Sequence, residues 1–576
     1  MHQPSRLRTA SLALLAGLSL ALTGCQTYTS QTQSRDDAFR VGNVTSALAA
    51  AEKDLQRNAD NKDTLLYELE HGAILRAAAL ANIPAAPGAG PRATAAAAGQ
   101  TQTNQALLAA DPDAISPRIA HLTRSIASFD AAARRIDDFE AAAKISVGSE
   151  AGALFTNQAN LPYRGRAYDK VMLHTYQALN YLHLSDAEAA RVELNRALQR
   201  QRDAVEANAK RIEEAQRLAS EARSGGVKDE QGRQGSAYDA DRAKSDPKTS
   251  AGISGVESKF NAAILPYGDY VNPFTTFLDA LVFTHLGADA SDLERARKSW
   301  ERVVNFAPNN PHARADYIAV EPDLQPAPVA AAAPLSPISV PASAEPSAVA
   351  AHETPAVAAD SEVAPAVLPV TPRPATPARL TYVIFETGSA PYRSQIRIDL
   401  PLFLVTSGIS YVGMALPQLE TVGGHLSALS VSTSDGRSER AALVASMDSV
   451  VAQDFKNEWP TILTKTIIST GTKATIDAIV QKQINDQLGA GWGLAAKLAT
   501  AALQASVNIA DTRTWRTLPK EFHYARLETP EDLQLTVSAG GLAQALALEP
   551  AAVQVVYVKS PSANSPLLVG QFVLKP

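Results

Sequence analysis

Two apolar rhythms divide this chain. From residue 63 to about 320, apolar side chains recur every three or four positions. From residue 379 onward they alternate. In "DTLLYELEHGAILRAAAL" (63–80), Leu66, Leu69, Ala73, Ala77 and Leu80 form one stripe, and in 122–140 Leu122, Ile126, Phe129, Ala133 and Ile136 form another. Such stripes predict helices with one buried face. Two later stretches match each other: "SDAEAARVELNRAL" from Ser185 and "SDLERARKSWERVV" from Ser291, preceded by "ALNYLHL" from Ala178 and "ALVFTHL" from Ala280. Each unit predicts helix, tight turn, helix, with Ser185/Glu188 and Ser291/Glu294 at capping-box spacing. Small Ala190 and Ala296 stand four residues before bulky Leu194 and Trp300, with Ala197 and Val303 three further on. That is the alternation of small and large residues with which tetratricopeptide-like hairpins stack, and Pro308 closes the second unit.

Alternation begins at "RLTYVIFETG", where Tyr382 and Ile384 point one way and Val383 and Phe385 the other. "SQIRIDLPLFL", "SYVGMALP", "LSALSVSTSDGR", "LQLTVSAGG", "VQVVYVKS" and "PLLVGQFVLKP" predict further strands, mostly antiparallel. Between them, 438–510 predicts a helical insert. Met447, Val450, Val451 and Phe455 make a first stripe, Pro460 opens a second helix, and "LAAKLATAALQASVNIA" from Leu494 makes a third. The expected fold class is α+β, with helical hairpins first and a mostly antiparallel β domain after them.

Composition sets the boundaries. Residues 321–378 are an alanine–proline tract whose prolines forbid a continuous helix and whose small side chains have little to bury; they predict a disordered linker. The expected domains are therefore 25–320 (helical, with disordered insertions near 81–118 and 224–255) and 379–576 (strands with the insert). Residues 1–24 have Arg6, Arg8 and then a short apolar run from Ala10 to Leu22, the parts of a secretory signal. The run ends in Leu22-Thr23-Gly24-Cys25, and Cys25 is the only cysteine of the 576 residues. This resembles a bacterial lipobox, which implies cleavage before Cys25, a diacylglyceryl thioether on its sulfur and acylation of the new amino group. Gln26 follows where an inner-membrane retention signal commonly has Asp, so the expected site is the outer membrane, facing the periplasm. Loss of 24 residues takes two arginines with it and moves the formal charge of −6 further negative. With no basic tract, nucleic acid is not an expected partner.

Residues that carry chemistry are sparse. The ten histidines are scattered with no metal-ligand spacing, no Gly-x-Ser-x-Gly occurs, and "TGTKAT" (470–475) lacks the pattern of a phosphate loop. The sequence offers no catalytic residue, cofactor or metal site, and no enzyme is expected. Two aromatic and arginine clusters stand out: "LPYRGRAYDKVMLHTYQALNYL" (161–182), echoed by "LPYGDYVNPF" (265–274), and "DTRTWRTLPKEFHYARL" (511–527). Tyrosine and arginine are common anchors of recognition surfaces, so Tyr163, Arg164, Tyr176 and Asn180 are the candidate partner-binding residues. Packing between helices is their alternative duty. In the second cluster, an Asp511–Arg513 bridge under Trp515 predicts a structural corner.

Through "LLYELEHG" (65–72), "LPYRGRAYDKVMLHTYQALNYL", "YVNPF", "FETG" (385–388), "IDLPLFL" and "DTRTWRTLPKEF", the chain resembles a family of bacterial envelope lipoproteins. The resemblance covers most of the chain outside its low-complexity stretches. It implies tetratricopeptide-like helices plus a C-terminal mixed domain, and brings no catalytic residue. The expected function is a lipid-anchored periplasmic scaffold: Cys25 tethers it to the membrane and a helical groove receives an envelope protein. The alternative is an accessory of outer-membrane assembly or polymer export that touches lipid through residues 460–509.

Overall fold

The computed structural model describes residues 28–84, 116–145, 158–228, 232–265, 267–321, 379–403, 411–488 and 509–576. Its architecture is α+β in three layers: helices, a five-stranded sheet, and a four-stranded sheet. The helical layer starts with α1 (Tyr28–Arg40), α2 (Val44–Arg57), α3 (Thr64–Leu80) and α4 (Pro117–Ile145). The repeats follow as α5 (Ala167–His183) with α6 (Ala187–Arg223), and α9 (Pro273–Leu286) with α10 (Ala290–Phe306). Between and after them lie the short α7 (Ala240–Lys244), α8 (Pro247–Asn261) and α11 (Pro311–Val320).

The spacing seen in the repeats is a packing pattern. Ala190, Leu194 and Ala197 are fully buried, as are their counterparts Ala296, Trp300 and Val303. Trp300 meets Phe277 edge-on at 5.8 Å, and its indole N–H donates to Thr284. The expected serine caps are displaced. Asp186 and Asp289 take the cap, accepting from the backbone of Ala189 and Asp292, while Ser185 turns the chain at φ +58°. A carboxylate is the stronger acceptor for the partial positive charge at a helix N-terminus.

The strands are β1 (Leu380–Thr387), β2 (Tyr392–Pro401), β3 (Tyr411–Glu420), β4 (Ser430–Thr433), β5 (Ser438–Arg440), β6 (Ala442–Ser446), β7 (Glu521–Glu528), β8 (Gln534–Ala539), β9 (Leu542–Ala547), β10 (Val553–Ser560) and β11 (Leu568–Lys575). The larger sheet has the order β11-β10-β1-β7-β6, antiparallel except for the parallel pair β1–β10. All eight residues of β1 are buried because it is covered on both faces. Tyr382 and Ile384 join the core shared with the helices, and Val383 and Phe385 the core shared with the β5-β4-β8-β9 sheet.

Four expectations change. The 224–255 stretch, expected to be disordered, is ordered where described. Tyr238 is buried and donates to the carbonyl of Pro401, and Ile253, Val256 and Phe260 form the inner stripe of α8. Its polar composition hid a few well-spaced apolar residues and the capping aspartates Asp239 and Asp246. The insert starts with two short strands, β5 and β6, and its first two helices are one: α12 (Met447–Leu488) runs through Pro460. Pro460 and Lys456, whose carbonyl loses its intrahelical donor, both lie on the exposed face, so the missing bond falls on the solvent side. Leu463, Ile467, Ile468 and Ile476 are buried along α12, which packs against α6, α8 and β3. Residues 489–508, with the third expected helix, lie outside the described residues, as do Cys25, residues 85–115 and the linker at 322–378. Among the described residues no helix is long and apolar enough to cross a membrane.

The last change concerns the groove. All 17 residues of α3 are buried, and the inner faces of α3, α5 and α9 rest on β10, β11 and β6. One continuous apolar core runs from Tyr28 to Leu574 through both halves of the sequence. The concave side of the repeats is filled by the chain's own sheet.

Candidate functional site

The sequence motifs converge on the seam between helices and sheet. At its first node, Arg513 donates to both oxygens of Asp511 (2.8 and 3.0 Å), to Asp63 (2.7 Å) and to the carbonyl of Leu161 (2.8 Å). Its guanidinium lies 5.3 Å from the ring centre of Tyr163. The Tyr163 hydroxyl donates to Asp169, which also accepts from the backbone N–H of Arg166. Arg166 continues the chain of charges to the carbonyl of Arg513 (3.2 Å) and to Glu458 (3.2 Å). Glu458 on α12 gathers two more guanidiniums, Arg393 at 2.7 Å and Arg211 at 3.1 Å. Burial acts to raise the Glu458 carboxyl, but Arg393, Arg166 and Arg211 outweigh it and hold it low. One turn earlier, Asp454 is also buried, and neither of its oxygens has a donor among the described residues. Burial first, then repulsion from Glu458, pushes its carboxyl up.

The second node is Glu386 of "FETG". It accepts from the hydroxyls of Tyr176 (2.8 Å) and Tyr557 and pairs with the buried Lys559. Burial alone would raise this carboxyl; Lys559 and Arg76 reverse the sign and lower it. Arg76 covers the Tyr557 ring at 4.6 Å and donates to Asn180 (3.0 Å), which donates to Ser125 (2.9 Å). The third node is Glu70 of "LLYELEHG", which accepts from the backbone N–H groups of Arg516 (2.6 Å) and Thr517 (3.2 Å) and pairs with Arg35 (3.2 Å). Trp515 lies between the nodes, edge-on to Tyr176 at 5.9 Å and beside Phe129 at 6.0 Å. The expected Asp511–Arg513 bridge is there and closes onto the helical layer, but the ring over it is Tyr163, while Trp515 packs against Phe129 and Tyr176.

This geometry corrects the partner-binding candidates. Tyr163, Tyr176 and Asn180 are 3, 1 and 0 % exposed, so none reaches a partner in this state; only Arg164 is exposed. Their polar atoms serve the seam, where a hydrogen-bonded tyrosine or asparagine avoids the desolvation cost of an unpaired group. Sequence reasoning missed Glu458, Arg393, Arg211 and Glu386. A signal existed for Glu386 and Glu70, since each is an acid inside an apolar run. Among the described residues no group of three or more His, Cys, Asp or Glu is placed to hold a metal ion.

Accessible clefts lie on the outside. A cleft of about 630 Å³ lies between α6 and α10, lined by Val192, Asn195, Arg196, Leu198, Arg202 and Arg295 among others. Its lining has three arginines and no acid. Arg295 is fixed by Asp279 below it and lies 3.8 Å from the Phe283 ring centre. Comparison with protein-family models, with curated proteins and with solved structures finds no match.

Proposed function

We propose that this protein is a scaffold of the bacterial cell envelope, tethered through acylated Cys25 to the periplasmic side of the outer membrane. It engages a protein partner through the outer cleft between α6 and α10. The observation that carries this reading is the filled groove: with α3, α5 and α9 spent on the chain's own sheet, recognition falls to the outward helices. Val192 and Leu198 offer apolar contact there, and Arg202 offers charge beside Arg196 and Arg295, which are paired to Glu193 and Asp279, a combination that suits an acidic, amphipathic segment. Tyr163, Tyr176 and Asn180 act as internal locks that keep the outer helices in place.

The test is photo-crosslinking in cells from Gln199, on the cleft, and from Leu542, on β9. The expected result is a discrete adduct from Gln199 alone, mapping to an acid-rich segment of an envelope protein, and lost in the Arg196→Glu/Arg202→Glu variant. An adduct that survives the double charge reversal, or equal adducts from both positions, would refute the cleft as the partner site.

A further inference from the structure

The distance between the anchor and the folded body is short. Only Gln26 and Thr27 separate Cys25 from Tyr28, the first residue of α1. A chain advances at most about 3.6 Å per residue, so in any conformation Tyr28 stays within about 11 Å of the acylated residue. The headgroup layer is itself roughly 5–8 Å deep on each side of the hydrocarbon. The end of the helical layer that contains Tyr28 is therefore held at the lipid surface.

That end can be read from contacts. Tyr28 meets Tyr67 at 5.0 Å, and the Tyr67 hydroxyl donates to Gln31. The turn between α2 and α3 lies beside them. Arg135 of α4 donates to the carbonyl of Ala59 (3.0 Å), Lys62 to that of Ala159 (2.6 Å), and the Tyr163 N–H to that of Lys62 (2.7 Å). The start of α1, the end of α2 and the starts of α3 and α5 thus share one end of the stack. Exposed on it are Lys53, Arg57, Lys62, Arg134 and Arg164, against the exposed acids Asp60, Asp137 and Asp138. Of these, Lys53 and Arg57 flank Asp54, whose carboxyl is raised by burial and by Asp36 and pulled back by Arg35, Arg57 and Lys53. An excess of cations, on a chain whose formal charge is −6, sits where the tether ends.

We infer that this end, centred on the α2–α3 turn and including Arg164, is a docking face for anionic phospholipid headgroups. The inference rests on the acylation of Cys25. Its consequence is an orientation. Helices of 13 to 17 residues are roughly 20–25 Å long, so the turns at Ser185 and Gly287 and the first turn of α10 stand that much further from the bilayer. The end of the α6–α10 cleft at Val192 and Arg295 then stands toward the periplasm, whereas its other end, at Arg202, runs back toward the lipid, because the neighbouring Arg200 bonds Asp137 and Glu140 of α4. Each Lys or Arg near an anionic surface contributes roughly fivefold to the partition, an effect that salt weakens.

The experiment uses the acylated full-length chain reconstituted into vesicles containing phosphatidylglycerol. The Cys25 sulfur is consumed as a thioether, so single cysteines at Gln56→Cys and Leu293→Cys can be labelled selectively with a fluorophore. Quenching by a headgroup-attached nitroxide lipid is expected to be at least fivefold stronger at position 56 than at 293. It should fall several-fold at position 56 when Lys53→Glu, Arg57→Glu and Arg134→Glu are combined, or when phosphatidylcholine replaces phosphatidylglycerol. Equal quenching at the two positions, or stronger quenching at 293, overturns the face. Quenching at 56 that ignores both charge reversal and lipid charge overturns the headgroup chemistry. Intact mass without acyl chains refutes the anchoring itself, and is distinguished from either failure by that measurement alone.

Discussion

Replacing Arg513 by methionine keeps most of the side chain's volume and removes its charge. In the parent, a side chain 5 % exposed satisfies Asp511 twice, Asp63 once and the carbonyl of Leu161 once, and so ties residues 511–513 to the start of α3 and to the approach of α5. Without it, Asp511 and Asp63 lose the cation they share in a site where water is scarce, leaving Asp63 with Lys62 (3.1 Å) and Asp511 with Arg166 (3.8 Å). Breaking a buried ion pair by removing one partner costs about 3–5 kcal/mol, a large part of a net stability of roughly 5–15 kcal/mol. Arg513→Lys retains the charge, but one ammonium cannot span two carboxylates and a carbonyl, so its cost should fall to about 1.5–3 kcal/mol. Urea unfolding measures both, followed by helical circular dichroism and by tryptophan fluorescence, because Trp515 lies two residues away against Tyr176. A double-mutant cycle with Asp511→Asn should return a coupling of about 0.5–3 kcal/mol. The reasoning fails if Arg513→Met lies within about 1 kcal/mol of the parent, or if the lysine variant is as damaged as the methionine one.

Other consequences are smaller. Asp316 on α11 is fully buried beneath the hydroxyls of Tyr382 and Tyr524 and beside Arg526, and burial, only partly offset by Arg526, raises its carboxyl to about 6. The folded state therefore holds this proton more tightly than the unfolded one. The stability so gained is complete below about pH 4 and is lost as pH rises to 6. Asp316→Asn should flatten that part of a pH–stability curve, and an unchanged slope would contradict the assignment. A Cβ on Gly72 would stand 2.7 Å from the Phe129 ring, so Gly72→Ala should cost about 1–3 kcal/mol by overpacking, read as a lower denaturation midpoint. Tyr176→Phe removes the hydroxyl that donates to Glu386 and should cost about 1.5–3 kcal/mol. It should leave the Gln199 crosslink unchanged, because the side chain never reaches the surface.

The parts of the fold legible in the sequence are those where one face of an element is buried by its own local pattern. The Ala190–Leu194–Ala197 spacing and the two-sided alternation of β1 were such cases. What stayed hidden depends on partners far along the chain. Nothing near Tyr176 says that its hydroxyl will meet a carboxylate at residue 386, so an aromatic and arginine cluster read as a recognition surface when it is an interior lock. Helix α1, too, is polar enough to show no strong stripe, although Tyr28 and Phe39 enter the core. The outer cleft gave no signal because Arg196 and Arg202 look like any solvated helix face until α10 is placed beside them. The tract at 321–378 marks a change of secondary structure in the sequence but no boundary between cores, since one core draws on residues from both sides of it.

The central claim is that helices and sheet are one body, with the repeat groove filled from within. Its most direct test is to cut the chain at a protease site placed within residues 322–378 of the non-acylated Cys25→Ala protein, and to pass the product through size exclusion without denaturant. The account predicts that the two fragments elute together at the position of the uncut chain and part only in denaturant, with Arg513→Met lowering the concentration needed. Two separately eluting folded fragments would contradict it and return the groove to an open, partner-ready state.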